Sequence, residues 1–168
     1  ASGVFVYPRV AEGKYFVEMQ NLPPNGYIAD VKAGGTSVFD SGVEINSQTG
    51  EIQVLLNTNG GKIQGVVLDA AGKPAPALVA LVPRESRRQN LVLYKYSQSD
   101  ASGNFTMSAT APGDYKLFAW EAVPSGAWMN PEFLAPYESR GVPVSVTPTG
   151  STPATIELRV IPWESEKR

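Results

Sequence analysis

Short strand-like runs, each closed by a turn residue, follow one another along this chain with almost no helical periodicity, which points to an all-β fold. In the first part the runs are Val4-Phe5-Val6-Tyr7, closed by Pro8, and residues 15–19 after a turn at 11–14. Residues 27–32 follow Pro23-Pro24-Asn25-Gly26. A short strand at 43–45 and a strong one at 52–56 complete the set. Residues 57–61 (Asn-Thr-Asn-Gly-Gly) read as a linker. Beyond it the sequence predicts strands at 62–68, 77–82, 91–96, 105–108, 115–120, 142–146 and 155–161. Seven strands in about 100 residues, with turns every 8–12 or so, is the pattern of a β-sandwich. One helical turn is expected at Pro131-Glu132-Phe133-Leu134, where proline suits a helix start.

Composition supports a packed domain and removes several kinds of chemistry. The chain is 42% hydrophobic and 18% charged, and its 16 Gly and 14 Pro fall between the apolar runs, where turns need them. Net charge is −2 and no basic block exceeds Arg87-Arg88, so the stripe that neutralises nucleic-acid phosphates is missing. No apolar run approaches the roughly 18 residues of a membrane-spanning helix. With neither His nor Cys in the sequence, His-based nucleophile triads, Cys-His pairs and His-ligated zinc are excluded. No catalytic residue, cofactor or metal is expected. The chain opens without Met or a leader-like segment, as a mature product or a piece of a longer protein would.

The two parts share ordered features. Leu22-Pro23-Pro24-Asn25-Gly26-Tyr27 sits between strands as Ala111-Pro112-Gly113-Asp114-Tyr115 does, and Gly42-Val43-Glu44-Ile45 parallels Gly141-Val142-Pro143-Val144. The same supersecondary unit is therefore expected twice. Residues 1–60 form an incomplete copy, residues 61–163 a complete one, and residues 164–168 a charged tail. The opening strands missing from the first copy could lie upstream in a parent chain or come from another molecule. Alternatively, the first part could pack on the second.

Three motifs in the second part carry a family resemblance. Gly65-Val66-Val67-Leu68-Asp69-Ala70-Ala71-Gly72-Lys73-Pro74 resembles the G-x-V-x-D-x-x-G-x-P opening of carboxypeptidase-regulatory-like domains. Ser99-Asp100-Ala101-Ser102-Gly103-Asn104-Phe105 and Pro112-Gly113-Asp114-Tyr115 resemble the hairpin and the P-G-x-Y step that follow it there. The resemblance spans about residues 61–161. It implies a seven-stranded immunoglobulin/transthyretin-like (prealbumin-like) sandwich, of a kind appended to secreted or cell-surface bacterial proteins and not itself catalytic. No functional residue is carried over, because the motifs are turn and core positions. Gly72 and Gly103 are expected at positive φ, Asp69 and Asp100 as turn caps, and Tyr115 as a tyrosine corner.

The best candidate binding surface is the aromatic group Trp120, Trp128, Phe133 and Tyr137, whose flat rings suit a sugar or a protein hot spot unless they cap one end of the sandwich. Glu132 and Glu138 flank the same loop and could imitate a glycosidase pair, although solvated carboxylates are the simpler reading. Arg84, Arg87 and Arg88 read as a solvated basic loop that could meet an acidic neighbour such as Glu164 or Glu166. Asn104-Phe105-Thr106 matches a glycosylation sequon, and residues 147–155 are rich in Thr, Ser and Pro. The function expected is a non-catalytic structural subunit of a bacterial surface or filamentous assembly, extracellular, associating head-to-tail through strand pairing or with other strands of a larger parent chain. The alternative is a glycan- or protein-binding accessory module.

Overall fold

The computed structural model describes residues 3–149 and 156–162. The tail, with Trp163, Glu164 and Glu166, and most of the Thr/Ser-rich turn lie outside the described residues. The protein is all-β. Its first part contains β1 (Gly13–Tyr15), β2 (Tyr27–Ala33), β3 (Thr36–Ser37), β4 (Val43–Ile45) and β5 (Ile52–Asn57). Its second contains β6 (Gly61–Leu68), β7 (Leu78–Pro83), β8 (Lys95–Gln98), β9 (Asn104–Thr110), β10 (Gly113–Trp120), β11 (Val142–Val146) and β12 (Ile156–Ile161). One helical turn, α1 (Pro131–Leu134), sits in the loop before β11, with the Asn130 side chain accepting from the Glu132 N–H as its cap.

Hydrogen bonding in the second part runs β8-β7-β10-β12-β6-β9, with β11 added to β10. Strand β12 joins two ladders: residues 156–159 run parallel to β6, and Val160 and Ile161 pair with Ala119 and Trp120 of β10. Period-2 alternation in β6 and β9 sends Ile63, Val67, Phe105 and Met107 inward, where they meet Val79, Leu81, Leu117, Val144 and Leu158 in one cluster. Strands β7 and β10 are covered on both faces. Their alternate residues Ala80, Val82, Phe118 and Trp120 enter a second cluster with Trp128 and Leu134 from the long loop. Double coverage accounts for the continuous apolar runs in these two strands.

Turn chemistry follows the sequence. Asp69 accepts from the Lys73 N–H (2.8 Å), and Asp100 accepts from the N–H groups of Ser102 and Asn104 (both 2.9 Å). Gly72 and Gly103 have φ of +79° and +75°. The Asn104 side chain is spent on the Asp100 carboxylate. Tyr115 is a tyrosine corner, its hydroxyl donating to the Ala111 carbonyl at 2.9 Å.

Three expectations change. Residues 4–7 form no strand, and the run at 15–19 is a strand only at Gly13–Tyr15. The run expected at 91–96 opens instead as a 3-10 turn, Leu91–Leu93, because the buried Asn90 side chain caps it by accepting from the Val92 N–H (3.2 Å). The internal repeat also has a different register, described below.

The first part packs against the second. Ile28, Val31, Phe39 and Val43 belong to the same buried cluster as the β6–β12 core. Asn90 Nδ2, fully buried, donates to the Phe39 carbonyl at 2.8 Å. Arg87 Nε donates to Asp40 at 2.8 Å. Backbone bonds from Gly60 N–H to Asn25 and from Thr149 N–H to Asn59 close the junction.

Candidate functional site

The aromatic candidates are gathered as the sequence suggested, but mostly in the interior. Trp120 is 0% exposed and Trp128 2%. Phe118 stacks on Trp120 (centroids 5.4 Å apart, 11° between planes), while half-buried Phe133 and Tyr137 each lie 5.8 Å from the Trp120 ring. These rings roof the outer face of β7 and β10. Neither tryptophan exposes a ring face, whereas Phe133 and Tyr137 are half-buried at the surface of the group. Strand β10 needs cover on its second face, and the loop supplies it.

The charged candidates are also structural. Glu138 is bonded by Arg88 Nη1 and by Lys116 Nζ (2.9 Å). The Arg88 hydrogen bond first, then Lys116, holds its carboxyl below the usual range, so it is poorly suited to act as a general acid. Glu132 is exposed at the start of α1. Arg87 and Arg88 are therefore not free solvated charges: one ties the first part to the second and the other anchors the aromatic loop, while Arg84 is exposed. Among the described residues no group of three acidic side chains is placed to hold a metal ion.

The feature that stands out is in the first part. Tyr15 donates its hydroxyl to the Ala11 carbonyl (3.1 Å), the same i to i−4 bond that Tyr115 makes to Ala111. Gly13 and Gly113 share an unusual φ, +151° and +152°. Strand β1 pairs antiparallel with β4 (Gly13 with Ile45, Tyr15 with Val43), as β10 pairs with β11 (Gly113 with Val146, Tyr115 with Val144). The counterpart of Pro112-Gly113-Asp114-Tyr115 is thus Glu12-Gly13-Lys14-Tyr15. It is not the Leu22–Tyr27 segment, whose Tyr27 hydroxyl bonds Asn59 instead (3.0 Å).

With that register the repeat extends to the start of the sequence. Ala1-Ser2-Gly3-x-Phe5 matches Ala101-Ser102-Gly103-x-Phe105, and Ala11-x-Gly13-x-Tyr15 matches Ala111-x-Gly113-x-Tyr115, at one constant offset. Residues 4–10 therefore correspond to β9, β1 to β10, β4 to β11 and, by order, β5 to β12. Strands β2 and β3 are an insertion in the first copy. These identities are legible in the sequence, although Pro23-Pro24-Asn25-Gly26 is the more prominent turn signal.

Equivalent residues differ sharply in cover. Phe105 is 3% exposed and Phe5 50%; Tyr115 is 4% exposed and Tyr15 40%. In the second part β6 pairs with β9, and β7 pairs along β10 from Tyr115 to Trp120. Nothing among the described residues takes either place in the first part. Burial also pushes the Tyr115 phenol up to about 12. What remains on the first part is a groove of about 740 Å³ whose walls include Phe5, Tyr15, Val17, Val43, Ile45 and Ile52. Val6 and Tyr7, 77% and 75% exposed, line it as well.

No protein-family model matches the chain, and no curated protein matches its sequence. Among solved structures it is similar to a Pseudomonas aeruginosa protein for which carbohydrate binding has been suggested. That match has 16% identity, 59% of this chain and 87% of that one covered, and a TM-score of 0.36. It is also similar to the minor pilin of Streptococcus agalactiae (16% identity, 76% and 62% covered, TM-score 0.37). A third is the major pilin subunit of Bacillus cereus (17% identity, 72% and 35% covered, TM-score 0.35). The chain spans less than two thirds of the length of either pilin.

Proposed function

We propose that the protein is a non-catalytic structural module of an extracellular or cell-surface assembly. In this reading its second part is a transthyretin-like sandwich and its first part is the same unit, completed by strands from outside the given residues, supplied by a larger parent chain or by another polypeptide. One observation carries the proposal: residues 3–15 repeat residues 103–115, yet the side chains that β6 and β7 bury in the second part are uncovered in the first. An apolar face with free backbone donors and acceptors is the substrate of β-augmentation, in which main-chain bonds supply affinity and side-chain pockets supply selectivity. The buried apolar area also favours occupation, at about 25 cal/mol per Å² removed from water.

Electron microscopy and light scattering of the purified chain, across a wide concentration range and with extracellular fractions added, test the proposal. Assembly or capture that protects residues 4–10 from proteolysis is the expected result. A chain that stays monomeric in every mixture, with residues 4–10 cleaved throughout, would refute supply by another polypeptide.

A further inference from the structure

A cleft of about 560 Å³ opens where the two parts meet, a size suited to a small molecule. Phe16, Met19, Ile28 and Phe39 wall it from the first part, and Leu93 and Met129 from the second. Two polar side chains in this apolar lining lack the partners their chemistry calls for. Lys95 Nζ donates to the carbonyls of Ser108 and Ala109, both at 2.7 Å. These bonds use two of its three N–H groups and leave its charge unneutralised, because no carboxylate pairs with it among the described residues. Burial holds this ammonium below its ordinary range, as expected for a desolvated cation without a counter-charge. Thr110 is 1% exposed, and its hydroxyl has no hydrogen-bond partner among the described residues. Between them Ala109 holds a left-handed φ of +52°, uncommon for a residue with a side chain.

We infer that the cleft binds a small monocarboxylate with an apolar body, its charge paired with Lys95 and the Thr110 hydroxyl serving as a second donor. A carboxylate supplies the missing counter-charge where water is largely excluded and charge-assisted bonds are strong. A single negative charge matches the site better than two, since the other charged residue of the lining, Glu18, is an exposed carboxylate. The inference stands apart from strand completion in the first part. Strands β8 and β9, which carry Lys95 and Thr110, are already laddered to β7 and β6, so their polar groups do not mark a vacant strand position. Because the walls come from both parts, an occupant also clamps one part on the other.

The test titrates the whole chain with naphthoate and with its neutral isostere naphthamide, read by NMR chemical shifts. Shifts should concentrate at residues 16–28, 91–95 and 109–111, and naphthoate should bind about tenfold more tightly than the amide. Lys95→Met keeps the side chain's length and removes its charge; it should abolish that preference while the amide still binds. Thr110→Val, close in shape, should weaken naphthoate several-fold. Saturating naphthoate should also slow hydrogen exchange in β2 and β5, since a ligand of the folded junction opposes its opening.

Equal affinity for the two probes overturns the inference, as does a preference that survives Lys95→Met. Shifts centred away from the cleft, or no binding at millimolar probe, overturn it as well. Should Lys95→Met fail to fold, the probe pair on the wild-type chain and Thr110→Val decide the matter: an unchanged naphthoate affinity in Thr110→Val, together with equal probes on the wild type, refutes the site.

Discussion

Glu138 shows how a residue that sequence reading offers for catalysis becomes a fastener. It receives Arg88, whose side chain is 14% exposed, and Lys116, and so joins the aromatic loop to β10 and to the loop after β7. Glu138→Gln leaves Arg88 without its charged partner and should cost about 1–2 kcal/mol at neutral pH, measured by urea unfolding. The folded carboxyl titrates below its ordinary value, first because of Arg88. Its contribution is therefore complete above the unfolded carboxylate range and is lost as pH falls through the lowered folded value. The difference between wild type and variant should shrink toward zero in acid, and a constant difference would contradict the assignment. At the same scale the sequence made Asp69, Asp100, Gly72, Gly103 and Tyr115 legible, because each acts within a few residues of itself. It did not reveal the burial of Trp120 and Trp128, which depends on a loop folding back over a sheet.

Among the elements, the strands of the second part were the most readable, because β6 and β9 alternate and β7 is a short continuous apolar run. The run at 91–96 is continuously apolar at its start, as a strand can be, but Asn90 caps a 3-10 turn there from outside the run. The absence of a strand at residues 4–7 has the opposite cause. The residues are right, but a strand exists only as half of a ladder, and no described segment pairs with it. Gly65 tests the pairing logic within the chain. Gly65→Ala drives a Cβ to 2.3 Å from a backbone oxygen and 2.7 Å from Phe105, so a loss of about 1–3 kcal/mol is expected in denaturant melts. A second change, Phe105→Leu, should recover part of the ring's share and none of the backbone share.

In the whole molecule, the first part is held on the second by Asn90, by the Arg87–Asp40 pair and by apolar residues common to both parts. Asn90→Ala orphans the Phe39 carbonyl and uncaps the Leu91 turn, an expected loss of about 1–3 kcal/mol. Hydrogen exchange should show β2 and β5 opening before β6 and β9 in that variant, whereas uniform loosening would mean that the contact does not join the parts. The sequence by itself determined the all-β class, the turn positions and the lack of His and Cys chemistry, since all of these rest on local periodicity and residue type. Only the tertiary structure decided the inward turn of the aromatic group and the uncovered face at Phe5 and Tyr15. Those depend on which strand lies beside which, and backbone pairing between distant segments leaves no mark on the residues until they meet.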